Sequence, residues 1–153
     1  MIQRIQTVYL LIVAGLFSAL LFLPLALVQS GVTLYSFDVF GLNTVIAPIT
    51  LAYPTWSLLA IAGVIIILSF VILFLYKRRV LQIRMCVYNA LLIIGFCILV
   101  GFYLWRFAAQ LPEMKITFRI WAAFPIIALI LDYLALRNIG ADEILVRSLE
   151  RLR

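Results

Sequence analysis

KRRVLQIR, the stretch from Lys77 to Arg84, is the densest run of charge in the chain, and it lies between two long apolar runs. Basic residues stay on the cytoplasmic side when a chain is threaded through a membrane. If the flanking runs cross a membrane, this stretch indicates which way the whole molecule faces.

The composition favours a membrane protein. Of the 153 residues, 67% are hydrophobic and 12% are charged, whereas a soluble domain has about 45–50% apolar and about 25% charged residues. We therefore predict a single integral membrane domain over residues 1–153. The net charge of +6 comes from basic residues that mostly flank apolar runs. Membrane orientation and contact with lipid explain such residues, so we predict no direct nucleic-acid recognition.

Four apolar runs are long enough to span about 30 Å of hydrocarbon, which takes about 20 residues. The predicted helices cover residues 5–28, 55–76, 85–105 and 119–136. External loops 29–54 and 106–118, a cytoplasmic loop 77–84 and a cytoplasmic tail 137–153 complete the chain. The predicted fold class is an all-α membrane protein, a bundle of four transmembrane helices.

Charge and aromatic residues predict the same orientation for this bundle. One side carries nine basic residues and the other carries three, so both termini are predicted to be cytoplasmic. The nine are Arg4, Lys77, Arg78, Arg79, Arg84, Arg137, Arg147, Arg151 and Arg153, and the three are Arg106, Lys115 and Arg119. All three Trp residues fall at helix ends on the side with few charges, as expected for a membrane interface.

The first external loop has the composition of a β-hairpin. Residues 32–39 form one candidate strand, Gly41-Leu42-Asn43 can turn the chain, and residues 44–51 can return as a second strand. A hairpin alone is marginally stable, so this one must pack on the helix ends or on a partner. The sequence leaves both alternatives open.

The tail has the pattern of a short amphipathic helix. Gly140 can end the fourth membrane helix, and Asp142 can cap a new one. An apolar stripe of Ile144, Leu145, Leu149 and Leu152 then requires a surface. That surface is either the inner leaflet or the cytoplasmic face of a partner protein.

Asp132 is the one carboxylate within an apolar run, and Asn89 is predicted to lie at similar depth. An acid inside a membrane is by default a candidate functional residue. Asp132 is five residues from Arg137, so we expect it near the inner interface, either paired with a basic residue or in contact with interfacial water. A proton or cation relay is the alternative. Asn89 is expected to form a hydrogen bond between helices.

Both ends of the chain resemble one family of proteins. MIQRIQT at residues 1–7 and the pattern Asp142-Glu143, LVRS at 145–148 and RLR at 151–153 resemble uncharacterised four-helix inner-membrane proteins of Bacteroidetes. Leu149 and Glu150 depart from the usual residues. The resemblance implies a bacterial inner membrane, and it supplies no activity and no catalytic residue.

These observations predict a non-enzymatic subunit. The chain has no His, and we find neither a glycine-rich phosphate loop nor paired acids within a membrane helix, so we predict no catalytic residue, metal or cofactor. We predict an accessory or scaffold protein of a larger inner-membrane assembly, in protein translocation or envelope biogenesis. The alternative is a small transporter or lipid-handling protein that uses Asp132 and Asn89. The candidate contacts with a partner protein or lipid are Arg4, Lys77, Arg78, Arg79, Arg84, Arg147, Arg151 and Arg153.

Overall fold

A computed structural model describes residues 3–45, 51–75, 78–111 and 113–151. It contains four α-helices, which are α1 (Gln3–Leu20), α2 (Trp56–Phe74), α3 (Arg79–Gln110) and α4 (Phe124–Arg151), with a 3-10 turn (Ile120–Ala123) before α4. Each helix packs against the next along the chain, and α1 packs against α4 to close the bundle. Within the described residues, α2, α3 and α4 are long and apolar enough to cross a membrane, and the apolar part of α1 (Ile5–Leu20) is shorter.

The bundle carries a five-stranded antiparallel sheet at one end. The strands are β1 (Ala26–Ser30), β2 (Thr33–Phe37), β3 (Gly41–Thr44), β4 (Leu51–Pro54) and β5 (Lys115–Phe118), in the spatial order β4-β3-β2-β1-β5. Strand β1 pairs with β2 on one side and with β5 on the other. The two predicted external loops therefore form one sheet. We call this the sheet end of the bundle, and the opposite end, where α2 gives way to α3, the basic end.

The prediction that the first helix runs to residue 28 is wrong, because α1 ends at Leu20. Pro24 explains the end, since a proline ring clashes with the carbonyl group four residues earlier. The last turn closes with a hydrogen bond from Phe22 N to Ala19 O at 3.0 Å. The apolar residues that follow Pro24 become β1 instead of a further helical turn.

The predicted hairpin is present, and its strands differ from those expected. The first expected strand contains β2, and the expected turn at Gly41-Leu42-Asn43 lies in β3. The actual turn follows Asp38, whose Oδ1 accepts hydrogen bonds from Phe40 N at 3.0 Å and Gly41 N at 2.9 Å. Aspartate favours turns by this bond to the backbone ahead of it. Part of the expected return strand, residues 46–50, lies outside the described residues.

The turn between β1 and β2 explains why β1 can form. Ser30 pairs with Thr33, so Gly31 and Val32 are the two residues of the turn. Gly31 has φ of 57°, and a glycine with positive φ at the first of two turn positions suits a tight hairpin. The chain can thus reverse directly after β1 without strain.

Three helix boundaries also differ from those predicted. Arg79 to Arg84 belong to α3 rather than to a loop, α3 continues to Gln110, and α4 continues through Gly140 to Arg151. Hydropathy marks where a helix leaves hydrocarbon, whereas Arg, Leu and Gln continue a helix well in water. A glycine inside a helix costs only about 1 kcal/mol relative to alanine. The prediction of a separate helix capped by Asp142 is therefore wrong, because the tail is part of α4.

Pro125 lies in the first turn of α4. A proline is tolerated there because its missing N–H has no partner within the helix.

The core consists of two apolar clusters. The larger joins the sheet to the adjoining half of the bundle, where Phe37 of β2 meets Phe107 of α3 edge to face, with ring centroids 5.7 Å apart. The smaller lies toward the basic end and includes Leu10, Ile72 and Cys86. The layer between these clusters is polar.

Candidate functional site

Three buried polar side chains form this layer. Asn89 and Asp132 are completely buried, and Ser69 is 1% exposed. They come from α3, α4 and α2, respectively. One turn away on either side of them lie members of the two apolar clusters, which are Ile65, Ile93 and Ala128 toward the sheet end and Ile72, Cys86 and Ala135 toward the basic end. Each of these three helices therefore contributes one polar residue to a layer that has apolar side chains on both sides.

Hydrogen bonds from Asn89 join the three helices. Its side-chain Nδ2 donates to Asp132 Oδ1 at 3.0 Å and to Ser69 Oγ at 3.3 Å. The Ser69 hydroxyl in turn donates to Ile65 O, one turn earlier in α2, at 2.8 Å. A carboxylate can only accept, so the amide nitrogen of Asn89 is the group that faces it.

Two polar atoms of this layer have no hydrogen-bond partner in the described part of the chain. They are Asn89 Oδ1 and Asp132 Oδ2, and both are buried. They belong to the two groups that already share a bond. A proton on Asp132 Oδ2 would turn that atom into a donor, and Asn89 Oδ1 is an acceptor without a donor.

The structure brings Asp132 and Asn89 together, as their similar predicted depth suggested, and among the described residues Asp132 is bonded to Asn89 rather than to a basic residue. Asp132 is completely buried, and α4 continues well past Arg137. Arg84, at the basic end, is exposed. Ser69 was missed by the sequence analysis. The sequence feature that could have identified it is its place as a lone polar residue in the inner half of the second apolar run.

The basic residues do not form a described site. Arg78 and Arg84 are exposed at the basic end. The backbone of Arg4, Arg79, Arg147 and Arg151 is helical, and their side chains are not described. Lys77 and Arg153 lie outside the described residues. Among the residues that are described, no group of three or more Cys, Asp or Glu side chains could hold a metal ion.

Gln82 is a further residue that the sequence analysis missed. It is buried, at 6% exposure, within the stretch predicted to be a solvated loop. Its Nε2 donates to Ile72 O at 3.3 Å. Ile72 lies in the last turn of α2. This bond ties the start of α3 to the end of α2.

A cavity of about 480 Å³ lies at the sheet end, between the sheet, α3 and the start of α4. Its lining is apolar except for Arg119, which follows β5. No Asp132 or Asn89 atom lines it, so it is separate from the polar layer. Because four distant segments of the chain form it, no local pattern predicts it.

The fold and the polar layer define a helical-bundle protein, with three described helices suited to crossing a membrane and an antiparallel sheet at one end. The chain belongs to the family described as a domain of unknown function (DUF4293), whose model matches residues 2–152. This agrees with the resemblance of its ends to an uncharacterised family. No curated protein and no solved structure matches the chain.

We expect the hydrogen bond to Asn89, rather than a charge on Asp132, to stabilise the bundle. Asp132→Asn keeps an acceptor for Asn89, so its midpoint of thermal unfolding in detergent should stay within a few degrees of that of the natural chain. Asp132→Leu has the same branching without an acceptor, so it should cost about 1–3 kcal/mol and lower the midpoint further.

The double variant Asp132→Leu, Asn89→Leu is the matched control. Removing both partners leaves neither polar group unpaired, so this variant should recover most of the loss. Equal destabilisation by Asp132→Asn and Asp132→Leu would contradict the prediction, because it would mean that the carboxyl group itself is required.

Proposed function

We propose that this chain is a non-enzymatic protein of the bacterial inner membrane that serves as an accessory or scaffold subunit of a larger membrane assembly. The assembly would act in protein translocation or envelope biogenesis. In this proposal α1 to α4 all cross the membrane, both termini are cytoplasmic, and the sheet lies outside.

Charge and aromatic residues at the two ends support this orientation. The sheet end carries Arg106, Lys115 and Arg119, against nine basic residues in the segments at and beyond the basic end. Trp56 and Trp105, at the sheet end, are 72% and 71% exposed. Exposed indole rings at a helix end are typical of a membrane interface.

The length of α1 is compatible with a fourth span. Its 18 residues cover about 27 Å, close to the roughly 30 Å of hydrocarbon. The apolar residues before Pro24 continue it toward the sheet. Its packing against both α2 and α4 also supports a place inside the bundle.

The length of α4 is the observation that carries the proposal. Its 28 residues extend about 42 Å, which is about 12 Å more than the hydrocarbon thickness. The last buried residue described in it is Ile139, about three turns before its end. The helix continues without a break, so its end extends in the same direction as the membrane span. An end in this direction favours contact with a protein partner over contact with the surface of the leaflet.

The rest of the molecule supports a rigid connecting role. The side chains of the polar layer form hydrogen bonds with one another across three helices. At the other end, α3 continues past the bundle to support the sheet through Phe107. A scaffold needs this kind of fixed geometry between its two exposed ends.

The proposed orientation predicts a labelling pattern. In a chain with both natural cysteines replaced by alanine, Val32→Cys introduces a thiol at a sheet turn that is 95% exposed. A membrane-impermeant maleimide should label it in intact spheroplasts. Arg84→Cys, exposed at the basic end, should react only after the membrane is permeabilised. The reverse pattern would contradict the orientation.

Purification in mild detergent tests the scaffold role. The natural chain should co-purify with other membrane proteins, measured by quantitative mass spectrometry. Arg147→Gln with Arg151→Gln should reduce that recovery at least about fivefold, since removing charge pairs weakens association. The double variant Arg106→Gln, Lys115→Gln removes the same amount of charge at the sheet end and should leave that recovery unchanged. Recovery of the natural chain only as a monomer or homodimer, without another protein, would overturn the proposal.

A small transporter or lipid-handling protein is the second candidate, and one observation favours it. Asp132 Oδ2 and Asn89 Oδ1 are buried without hydrogen-bond partners among the described residues, and intramembrane acids often mark proton or ion pathways. If this candidate is correct, Asp132→Asn should fail to complement a deletion while it folds normally. Full complementation of every phenotype by Asp132→Asn would remove this candidate.

A further inference from the structure

The cavity at the sheet end lies at the level where the helices meet the sheet. Trp105 and Trp121, which favour membrane interfaces, flank it on α3 and on the turn before α4. On α3 its lining begins at Cys97, eight residues before Trp105, which is about 12 Å along the helix axis. If the helices span a membrane, the cavity therefore runs from the interface into the hydrocarbon.

The lining is suited to a hydrocarbon chain. It is built of carbon-rich side chains, among them Val100 and Leu104 of α3, Ile126 of α4, and Ala26 and Phe37 of the sheet. Its volume of about 480 Å³ lies within the range of about 300–1,000 Å³ that small-molecule sites occupy. A long, narrow apolar molecule fits this chemistry better than a polar one.

Arg119 supplies the one charge. It lines the cavity and is exposed, between Phe118 and Ile120, which are 62% and 76% exposed. Its backbone N–H is fixed by a hydrogen bond to Leu25 O at 3.1 Å. Its guanidinium makes no hydrogen bond or ion pair with any other residue described, and guanidinium groups bind phosphate oxygens well.

We propose that this cavity holds one acyl chain of an anionic phospholipid, with Arg119 bound to the phosphate of its headgroup. The position at the interface, the apolar lining and the single cation fit the two parts of such a lipid. The lipid would come from the leaflet next to the sheet. This site is distinct from Asp132 and Asn89 and does not depend on a protein partner, so it can be tested on the isolated chain.

Native mass spectrometry in micelles tests this proposal. The full chain is purified in micelles that contain equal amounts of phosphatidylglycerol and phosphatidylcholine. The natural chain should retain one phosphatidylglycerol molecule at an activation energy that removes the others. Ala123→Trp fills the mouth of the cavity and should reduce that adduct at least about tenfold. Arg119→Gln should remove the preference for phosphatidylglycerol over phosphatidylcholine.

Two control variants complete the experiment. Val64→Trp places the same side chain on α2, on a residue that is 49% exposed and does not line the cavity. Arg106→Gln removes a charge at the same end, and both controls should retain the adduct of the natural chain. Arg119 is an exposed residue, so its effect on headgroup preference can be read even if Ala123→Trp does not fold.

Three results would overturn the proposal. One is equal retention of the two lipids by the natural chain, and another is an undiminished adduct in a folded Ala123→Trp variant. The third is loss of a dimer rather than of a lipid in Ala123→Trp, because this would identify a second copy of the chain as the occupant.

Discussion

Pairing of β1 on both of its edges is the interaction on which the arrangement of this protein depends. Strand β1 follows α1 directly, and it bonds to β2 in the first external segment and to β5 in the second. The ends of all four helices at the sheet end are thereby held at fixed positions relative to one another. A strand that is paired on both edges has no free backbone groups along its length, so it can lie buried against the helices. Ala26 and Val28 of this strand are completely buried.

The polar layer has the corresponding role inside the bundle. In an apolar medium, helices slide and rotate against one another with little cost, because lipid tails are as apolar as leucine. A layer in which Asn89 bonds to two other helices selects one rotation for each of the three. The same layer separates the two apolar clusters, so each cluster packs against polar side chains that hydrogen bonds hold in place.

The sequence predicts the central part of this fold well and its ends poorly. Hydropathy located the middle of each helix, because a run of apolar residues reports directly on hydrocarbon. It did not locate the ends of α3 and α4, where the helix continues through charged residues. It also carried the first helix through Pro24 to residue 28, although α1 ends at Leu20. Pairing of β1 with β5 joins residues about 90 positions apart, and pairing over such a separation has no local signal.

The same limit applies to the site. The depth of Asp132 and Asn89 could be compared from sequence, and this comparison correctly suggested that the two lie near each other. Their hydrogen bond depends on the rotation of α3 and α4 about their own axes, which hydropathy does not specify. Ser69 and Gln82 have ordinary sequence surroundings, and only their buried positions and their bonds distinguish them.

The length of α3 has a mechanical consequence. Its 32 residues make a rod of about 48 Å, of which about 18 Å exceeds the hydrocarbon thickness. The sheet packs against Phe107, near the end of this rod. If α3 spans a membrane, a change in its tilt of about 10° about its midpoint, well within the range that membrane helices adopt, would move each end sideways by about 4 Å. In that case a change in the tilt of α3 would move the sheet together with the helix ends that the sheet joins.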